Sequence, residues 1–470
     1  MAFELRSRRR RFVLEALEER LVLDAASLPD IAMVSATTTD SRSIRVVYNI
    51  ENAPVGQPFD VRFYRSADGQ VDSSAIAIGD QIVSGTGLAV GAHDLTAPIA
   101  GGVPIDPAHP YVLAVANPDH SVPESDQGND LASFHVYVIG AVTHGLELTP
   151  GLPAWVPLMA SALKADGYDV AIPFDWSQTS RLPIPGQTQA AGMRLATAIE
   201  NAVQSLPANA VIDLHLIGHS RGGAVISQAE IDLQALEASG QHPDLAGLQA
   251  GWTRMTFLDP HPAANLPGAA FYSASGGPLG KLVTRTYTTF QADTNDPPAV
   301  VPAGVQQSEV YFQHANPTAT PNPSEQIFNI WGDVPVQGAS NYADLTGTVN
   351  GHYEVYGWYQ QNVVPLLRSA TPFVSPSPRI PPPTHPIPTG RAYEATVLGE
   401  AGITSKRVAK QVLVYVGNAE RDFSKGHGAA GQAQLSTLGR YIAHQPASKV
   451  TPAAAGFFAT LLQSFFILPR

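Results

Sequence analysis

The sequence contains no cysteine. That excludes disulfide staples, cysteine-ligated zinc and a thiol nucleophile together, while leaving the compartment open, since many exported proteins lack disulfides. Charge is scarce as well. Asp, Glu, Lys and Arg make up 14% of the 470 residues, whereas glycine and proline number 40 each, which describes a loop-rich, lightly charged chain. The 28 basic residues are outnumbered by 40 acidic ones, for a formal charge of −12. Because six arginines fall within the first 20 residues, the remainder is more acidic still, and no nucleic-acid partner is expected. No apolar run reaches the ~18 residues of a membrane-spanning helix, so no transmembrane span is expected. Length alone suggests about three domains.

Five segments follow from changes of pattern. Residues 1–27 join an arginine cluster (Arg6, Arg8 to Arg11) to FVLEALEERLVLDA, in which Phe12, Leu14, Leu17, Leu21 and Leu23 are interrupted by glutamates. The interruptions argue against the apolar core of a secretory signal. The segment instead resembles the basic, LExLExR-type leader of bacterial surface and exported proteins. That resemblance implies an exported, extracellular or cell-surface protein. Over residues 28–135 short strands alternate with turns: SIRVVYNI (43–50), FDVRFYRS (59–66), AIAIGDQIV (75–83), GAHDLTA (91–97), YVLAVAN (111–117) and FHVYVIG (134–140). In FDVRFYRS, Phe59, Val61 and Phe63 alternate with polar neighbours, as in a half-buried strand. Six or seven such strands predict a small all-β sandwich, and its pieces resemble immunoglobulin-like modules. Glu124, Asp126 and Asp130 are calcium-type donors, but the reading adopted for them is a solvated loop.

From 136 to 370 strands alternate with helices. PAWVPLMASALKADG (153–167) reads as a helix and YDVAIPFDW (168–176) as a strand. Residues 186–206 read as a long helix with Met193, Leu195, Ile199, Val203 and Leu206 on its apolar side. The elbow described below and WTRMTFLDPHP (252–262) follow. This alternation predicts an α/β domain with a doubly wound, mostly parallel sheet behind the small β-sandwich. Residues 371–390 form a proline-rich linker. Residues 391–470, of no assigned role, hold the strand-like VAKQVLVYVG, the low-complexity SKGHGAAG and the apolar end GFFATLLQSFFIL.

The chemistry centres on VIDLHLIG-HSRGG-AVISQ (211–228), a strand, a sharp turn and a helix start. Gly218 to Gly222 spell Gly-x-Ser-x-Gly around Ser220. Chance alone yields such a pattern roughly 0.2 times in a chain this rich in glycine, so the strand–turn–helix context carries the weight. The turn presents a serine hydroxyl, and the helix behind it aims N–H groups at a developing oxyanion. A serine needs a base, and the base an orienting acid. Asp259, at the end of the strand MTFLD, fits the acid; His352, in the late NGHYEVYGWY, fits the base. His314 competes for that role, and His261 lies too close to Asp259 in sequence. The backbone N–H groups of Arg221 and Leu146 are the expected oxyanion donors, with His144 and Gly145 shaping the loop VTHGLELTPG.

THG after the first strand, GHSRGG, FLDP and GHYEVYGWY make residues 136–370 resemble an α/β-hydrolase of the lipase/esterase type. The resemblance implies a serine hydrolase that cleaves carboxylic esters, lipids among them, through Ser220, His352 and Asp259 and an acyl-enzyme, without cofactor or metal. It also implies that part of the 92-residue stretch between Asp259 and His352 is a lid. Two alternatives stand beside it: cleavage of an amide, and a catalytically silent surface adhesion or scaffolding protein. The leader, sandwich or C-terminal tail would associate either form with the cell surface.

Overall fold

The computed structural model describes residues 28–147, 150–180, 186–260, 296–313, 336–345, 347–349, 351–369, 373, 403–452 and 455. The leader, all of the linker but Phe373, the apolar end, most of the proposed lid, and both His261 and His314 lie outside them. The described residues divide into two compact units. One holds residues up to Pro104 with Ala108–Val136 and Gln249–Gly251; the other holds Ile105–Pro107, Tyr137–Leu248 and residues from Trp252 onward.

The first unit is built from β1 (Asp30–Thr37), β2 (Ser43–Glu51), β3 (Phe59–Ser66), β4 (Ile76–Val83), β5 (Gly91–Pro98), β6 (Tyr111–Ala116) and the start of β7 (Leu131–Thr143). Alternation sets their faces. In β2, Ile44, Val46, Tyr48 and Ile50 are buried, and in β3 Phe59, Val61 and Phe63. β1, β2 and β5 form a three-stranded antiparallel sheet, and β3 pairs antiparallel with β4 and β6.

β7 overturns the expected fold class. Its first residues pair antiparallel with β6, while Ile139 to Thr143 pair in parallel with β8 (Val170–Phe174). The hydrogen-bonded order runs β12 (Asn341–Asp344), β11 (Gln307–Phe312), β10 (Thr253–Leu258), β9 (Val211–His219), β7, β6, β3 and β4, with β8 beside β7: nine strands in one mixed sheet. A doubly wound parallel sheet behind a self-contained sandwich is therefore incorrect, because a single 13-residue strand serves both patterns. Periodicity marked FHVYVIG (134–140) as a strand but not that one strand runs on from the antiparallel into the parallel pairing.

The second unit continues with α1 (Trp155–Ala165), β8, α2 (Gln187–Gln204), β9 (Val211–His219), α3 (Gly222–Ala238), β10 (Thr253–Leu258), β11 (Gln307–Phe312), β12 (Asn341–Asp344), α4 (Glu354–Asn362), α5 (Lys406–Ser424) and α6 (Gly428–Ala443). Every residue of β9 and β10 is buried, and β9 to β12 are parallel. Leu214 and Leu216 pack with Leu195 and Ile199 of α2 and Val225 and Ala229 of α3. Ile217 and Leu258 share a second cluster with Val156 and Met159 of α1 and Val355 and Tyr359 of α4. Each such side chain contributes roughly 1.5–3 kcal/mol by leaving water.

Three local readings are corrected. Met193 is 62% exposed, although it was placed on the apolar side of α2. VAKQVLVYVG is helix, not strand: Val408, Val412, Val416 and Ala419 are buried at spacings of four, four and three, and Ser405 caps the start. The β-branched composition suggested a strand, but the 3.6-residue period decided the outcome. Glu124 and Asp130 are buried rather than solvated.

Candidate active site

Ser220 sits between the end of β9 and the start of α3 with φ of 56°, a left-handed backbone that a non-glycine residue adopts only under constraint. The constraint is visible. Its N–H donates to the Leu258 carbonyl of β10 at 2.9 Å, and its own carbonyl accepts from Gly223 N–H at 3.0 Å. The turn closes so tightly that a Cβ on Gly218 would lie 2.5 Å from the Gly222 carbonyl oxygen, and one on Gly222 would lie 2.6 Å from that of His144. No side chain fits at either position.

Asp259 follows β10, the strand beside β9, and also has a positive φ, 43°. Its backbone N–H donates to the Tyr311 carbonyl at 2.6 Å, which ties the turn to β11. Its carboxylate is fully buried. Oδ2 meets His352 Nδ1 at 2.7 Å and accepts from Gln313 Nε2 at 3.0 Å. His352 is 1% exposed and lies two residues before α4, which anchors its loop. His219, the residue preceding Ser220, packs its ring 4.4 Å from that of His352, and its Nε2–H donates to the His352 carbonyl at 3.1 Å. The sheet edge thus brings together the serine turn, the acid and the imidazole.

The loop after β7 closes the other side. A Cβ on Gly145 would stand 2.5 Å from Ser220 Cβ and 2.9 Å from its Oγ, so the Gly145 backbone lies directly against the serine. Leu146 follows, half-buried. His144 is buried, with Nδ1–H donating to the Gly145 carbonyl at 2.9 Å while Nε2 accepts from Trp176 N–H at 3.2 Å. This pattern requires the neutral ring, and burial holds its pKa below the ordinary value against the opposing influence of the Gly145 bond and the nearby Asp175 carboxylate. Glu147 lies beside it; burial, with Asp175 adding repulsion, pushes the Glu147 carboxyl up to about 7.

Several residues that hold this arrangement were not singled out in the sequence. The Arg221 side chain forms a buried bidentate pair with Asp296, Nε–Oδ2 at 2.5 Å and Nη2–Oδ1 at 2.7 Å. It also donates to the Ser180 carbonyl and lies 5.3 Å above the Trp176 ring. Trp176 Nε1–H in turn donates to the His144 carbonyl at 2.7 Å. Asp296 lies in the stretch expected to contain a lid, and His219 occupies an x of Gly-x-Ser-x-Gly. A Trp closing a predicted strand was the one signal available for Trp176. Among the described residues, the metal-type donors gathered within 4.8 Å of one another are Glu200, His242 and Asp244, none of them part of this site.

No family model matches the chain, and no curated protein matches it. Solved structures give weak likenesses. A multi-modular, cell-surface-expressed chitinase from Paenibacillus sp. str. FPU-7 is 8% identical over 62% of this chain and 25% of its own, with a TM-score of 0.16. A glycosyl hydrolase family 2 member from Bacteroides cellulosilyticus DSM 14838 is 10% identical over 60% of this chain and 36% of its own, at 0.14. A β-galactosidase-type structure from Bacteroides fragilis is 8% identical over 67% and 46%, at 0.15. This chain spans a quarter to less than half of each, and scores this low transfer neither fold nor activity. The mixed nine-stranded sheet overturns the expected lipase/esterase α/β-hydrolase fold with its separate immunoglobulin-like module, and the carboxylic-ester hydrolase activity that rested on that resemblance is withdrawn.

Proposed function

We propose that this chain is a hydrolase with Ser220 as its nucleophile, His352 as the proton carrier and Asp259 as the residue orienting the imidazole. The observation that carries the reading is the buried 2.7 Å contact between His352 Nδ1 and Asp259 Oδ2, made at the sheet edge where Ser220 is held in a left-handed turn. With Nδ1–H donating to the carboxylate, Nε2 is left as the acceptor for a hydroxyl proton. Ser220 Oγ then attacks a substrate carbonyl, the leaving group takes the proton from Nε2, and water repeats the sequence to release the acyl group. The Leu146 and Arg221 N–H groups serve as oxyanion donors, and Gly218, Gly222, His144 and Gly145 hold the loop backbones in register. Export through residues 1–27 and association with the cell surface are part of the proposal.

The test is covalent. The full chain is treated with a fluorophosphonate probe and its peptides are mapped by mass spectrometry. The expected adduct is on Ser220, absent in Ser220→Ala and slowed about 100-fold or more in His352→Ala, within the range of general-base contributions. A folded wild-type protein that takes no adduct, or takes it on another serine, overturns the assignment and leaves the silent surface protein as the reading.

A further inference from the structure

The first unit contains a second concentration of chemistry, unrelated to Ser220. Asp30 opens β1, and Glu124, Asn129 and Asp130 come from the segment joining β6 to β7. Three carboxylates there are more than nine-tenths buried or at that limit: Asp30 is 8% exposed, Glu124 9% and Asp130 6%. Glu124 is pinned, its Oε2 accepting from Ile31 N–H at 2.9 Å and its Oε1 from Asn117 Nδ2. Asp30 Oδ2 accepts from Asn129 Nδ2 at 3.2 Å. Backbone bonds from Met33 N–H to the Asn129 carbonyl and from Ala116 N–H to the Asp130 carbonyl, both 2.9 Å, fix the segment against two strands.

Satisfaction stops there. Asp30 Oδ1, Asp130 Oδ1 and Asn129 Oδ1 are buried oxygens with no hydrogen-bond partner. All three are acceptors, so they call for a cation or a donor. Charge balance points the same way. The groups acting on Asp130 are the acids Glu124, Asp30 and Asp126, and the one basic side chain acting on Glu124 is His120. Burial, with those acids adding repulsion, pushes the Asp130 carboxyl up to about 7. Uncompensated buried charge costs several kcal/mol per ion, so such a cluster needs a counter-ion or a proton.

We propose that Asp30, Asn129 and Asp130, with Glu124 beside them, form a calcium-binding site that locks the β6–β7 segment onto β1. The donor set is all oxygen and carboxylate-rich, with an amide carbonyl, which suits a hard cation of high coordination number. Calcium accepts irregular arrangements of six to eight oxygens; magnesium demands a compact octahedron, and zinc would call for nitrogen or sulfur. The three carboxylates do not share the 4.8 Å donor spacing that Glu200, His242 and Asp244 do, so in this geometry no more than two of them reach one ion, and the two with an unpartnered oxygen, Asp30 and Asp130, are the ones assigned to it. Glu200, His242 and Asp244 are weaker ground for a site. They are half-buried or exposed, and His242 Nδ1 is already bonded to Glu200 at 2.6 Å.

Calcium uptake by the EDTA-stripped full chain tests this, measured by isothermal titration and by thermal melting in CaCl₂ against EDTA. The expected result is one saturable site with a dissociation constant of about 10⁻⁴ to 10⁻³ M, the range of modules working outside cells. Asp130→Asn and Asp30→Asn should each weaken it about tenfold or more, and Glu200→Gln should leave it unchanged. A wild-type protein with no saturable uptake refutes the proposal without any variant. So does uptake that persists undiminished in folded Asp130→Asn and Asp30→Asn, because the ion would then lie elsewhere.

Discussion

Replacing Asp296 by asparagine strands one of the most deeply buried cations in the protein. The Arg221 guanidinium is 2% exposed and Asp296 likewise 2%, and they meet through two short charge-assisted bonds. At an effective dielectric of 20, unit charges about 2.6 Å apart attract by roughly 6 kcal/mol, an amount largely offset by the cost of removing both from water. Removing the acid alone leaves that cost on Arg221, which keeps its bond to the Ser180 carbonyl and its place over the Trp176 face. Asp296→Asn should therefore lower stability by about 3–5 kcal/mol, as for other broken buried pairs. Urea unfolding followed by tryptophan fluorescence reads the loss directly. The double replacement Arg221→Met with Asp296→Leu removes both charges and should return to within about 2 kcal/mol of the parent. A loss below about 1 kcal/mol in Asp296→Asn, or a double variant worse than the single, would show that the pair is not the clamp its geometry describes.

Two further outcomes follow from the second unit. The Glu230 carboxyl of α3 is 5% exposed and pushed up to about 7 by burial, against a hydrogen bond from Gln234 that lowers it. The folded state therefore keeps a proton that the unfolded chain releases above about pH 4.5, so stability falls as pH rises from there to about 7, by about 3 kcal/mol from this group. Glu237, raised to about 7 by burial and by Glu230, acts in the same direction. Glu230→Gln should flatten much of the slope in denaturant titrations at pH 5 and pH 8, and an unchanged slope rejects the assignment. Gly145→Ala forces a Cβ to within 2.5 Å of Ser220 Cβ. It should slow fluorophosphonate labelling at least tenfold at an overpacking cost of about 1–3 kcal/mol, and parental labelling kinetics would contradict it.

How much was legible depended on whether a feature was local. Alternation in FDVRFYRS and the 3.6-residue pattern of 186–206 placed β3 and α2 to within two residues, because burial on one face writes a period into the chain. The strand-to-helix turn at Ser220 was equally local. Sheet continuity was not, since β7 pairs with strands from both patterns and nothing in LASFHVYVIGAVT announces the change of partner. Long-range electrostatics were also hidden. Arg221 and Asp296 are 75 residues apart, and Asp296 sits in a run of Asp, Asn and Pro that resembles any polar loop. The acids near 124–130 were read as solvated because charged residues usually are, and only their neighbours in space reveal the burial.

Backbone strain draws the site together in a way no side-chain pairing does. Among the described residues, seven non-glycines have positive φ. Ser41, Asn52, Asn117, His120 and Asn209 lie outside the site, and three of them are asparagine, the residue that tolerates this region best. The other two are Ser220 and Asp259, at the ends of the adjacent strands β9 and β10, with Ser220 N–H bonded to the last residue of β10. A serine gains nothing in stability from a left-handed turn, and two such residues side by side cost of order 1–3 kcal/mol each unless the surroundings dictate them. Gly218, Gly222 and Gly145 supply that dictation, since each carries no side chain where one would strike backbone or Ser220 itself. If the serine is kept for chemistry at the expense of stability, Ser220→Gly should raise the unfolding free energy by about 1 kcal/mol, while Ser220→Ala, which keeps the Cβ and its strain, should not. Equal stabilities of the glycine and alanine variants would mean the turn is relaxed, and the strain argument for Ser220 as a presented nucleophile would lose its footing.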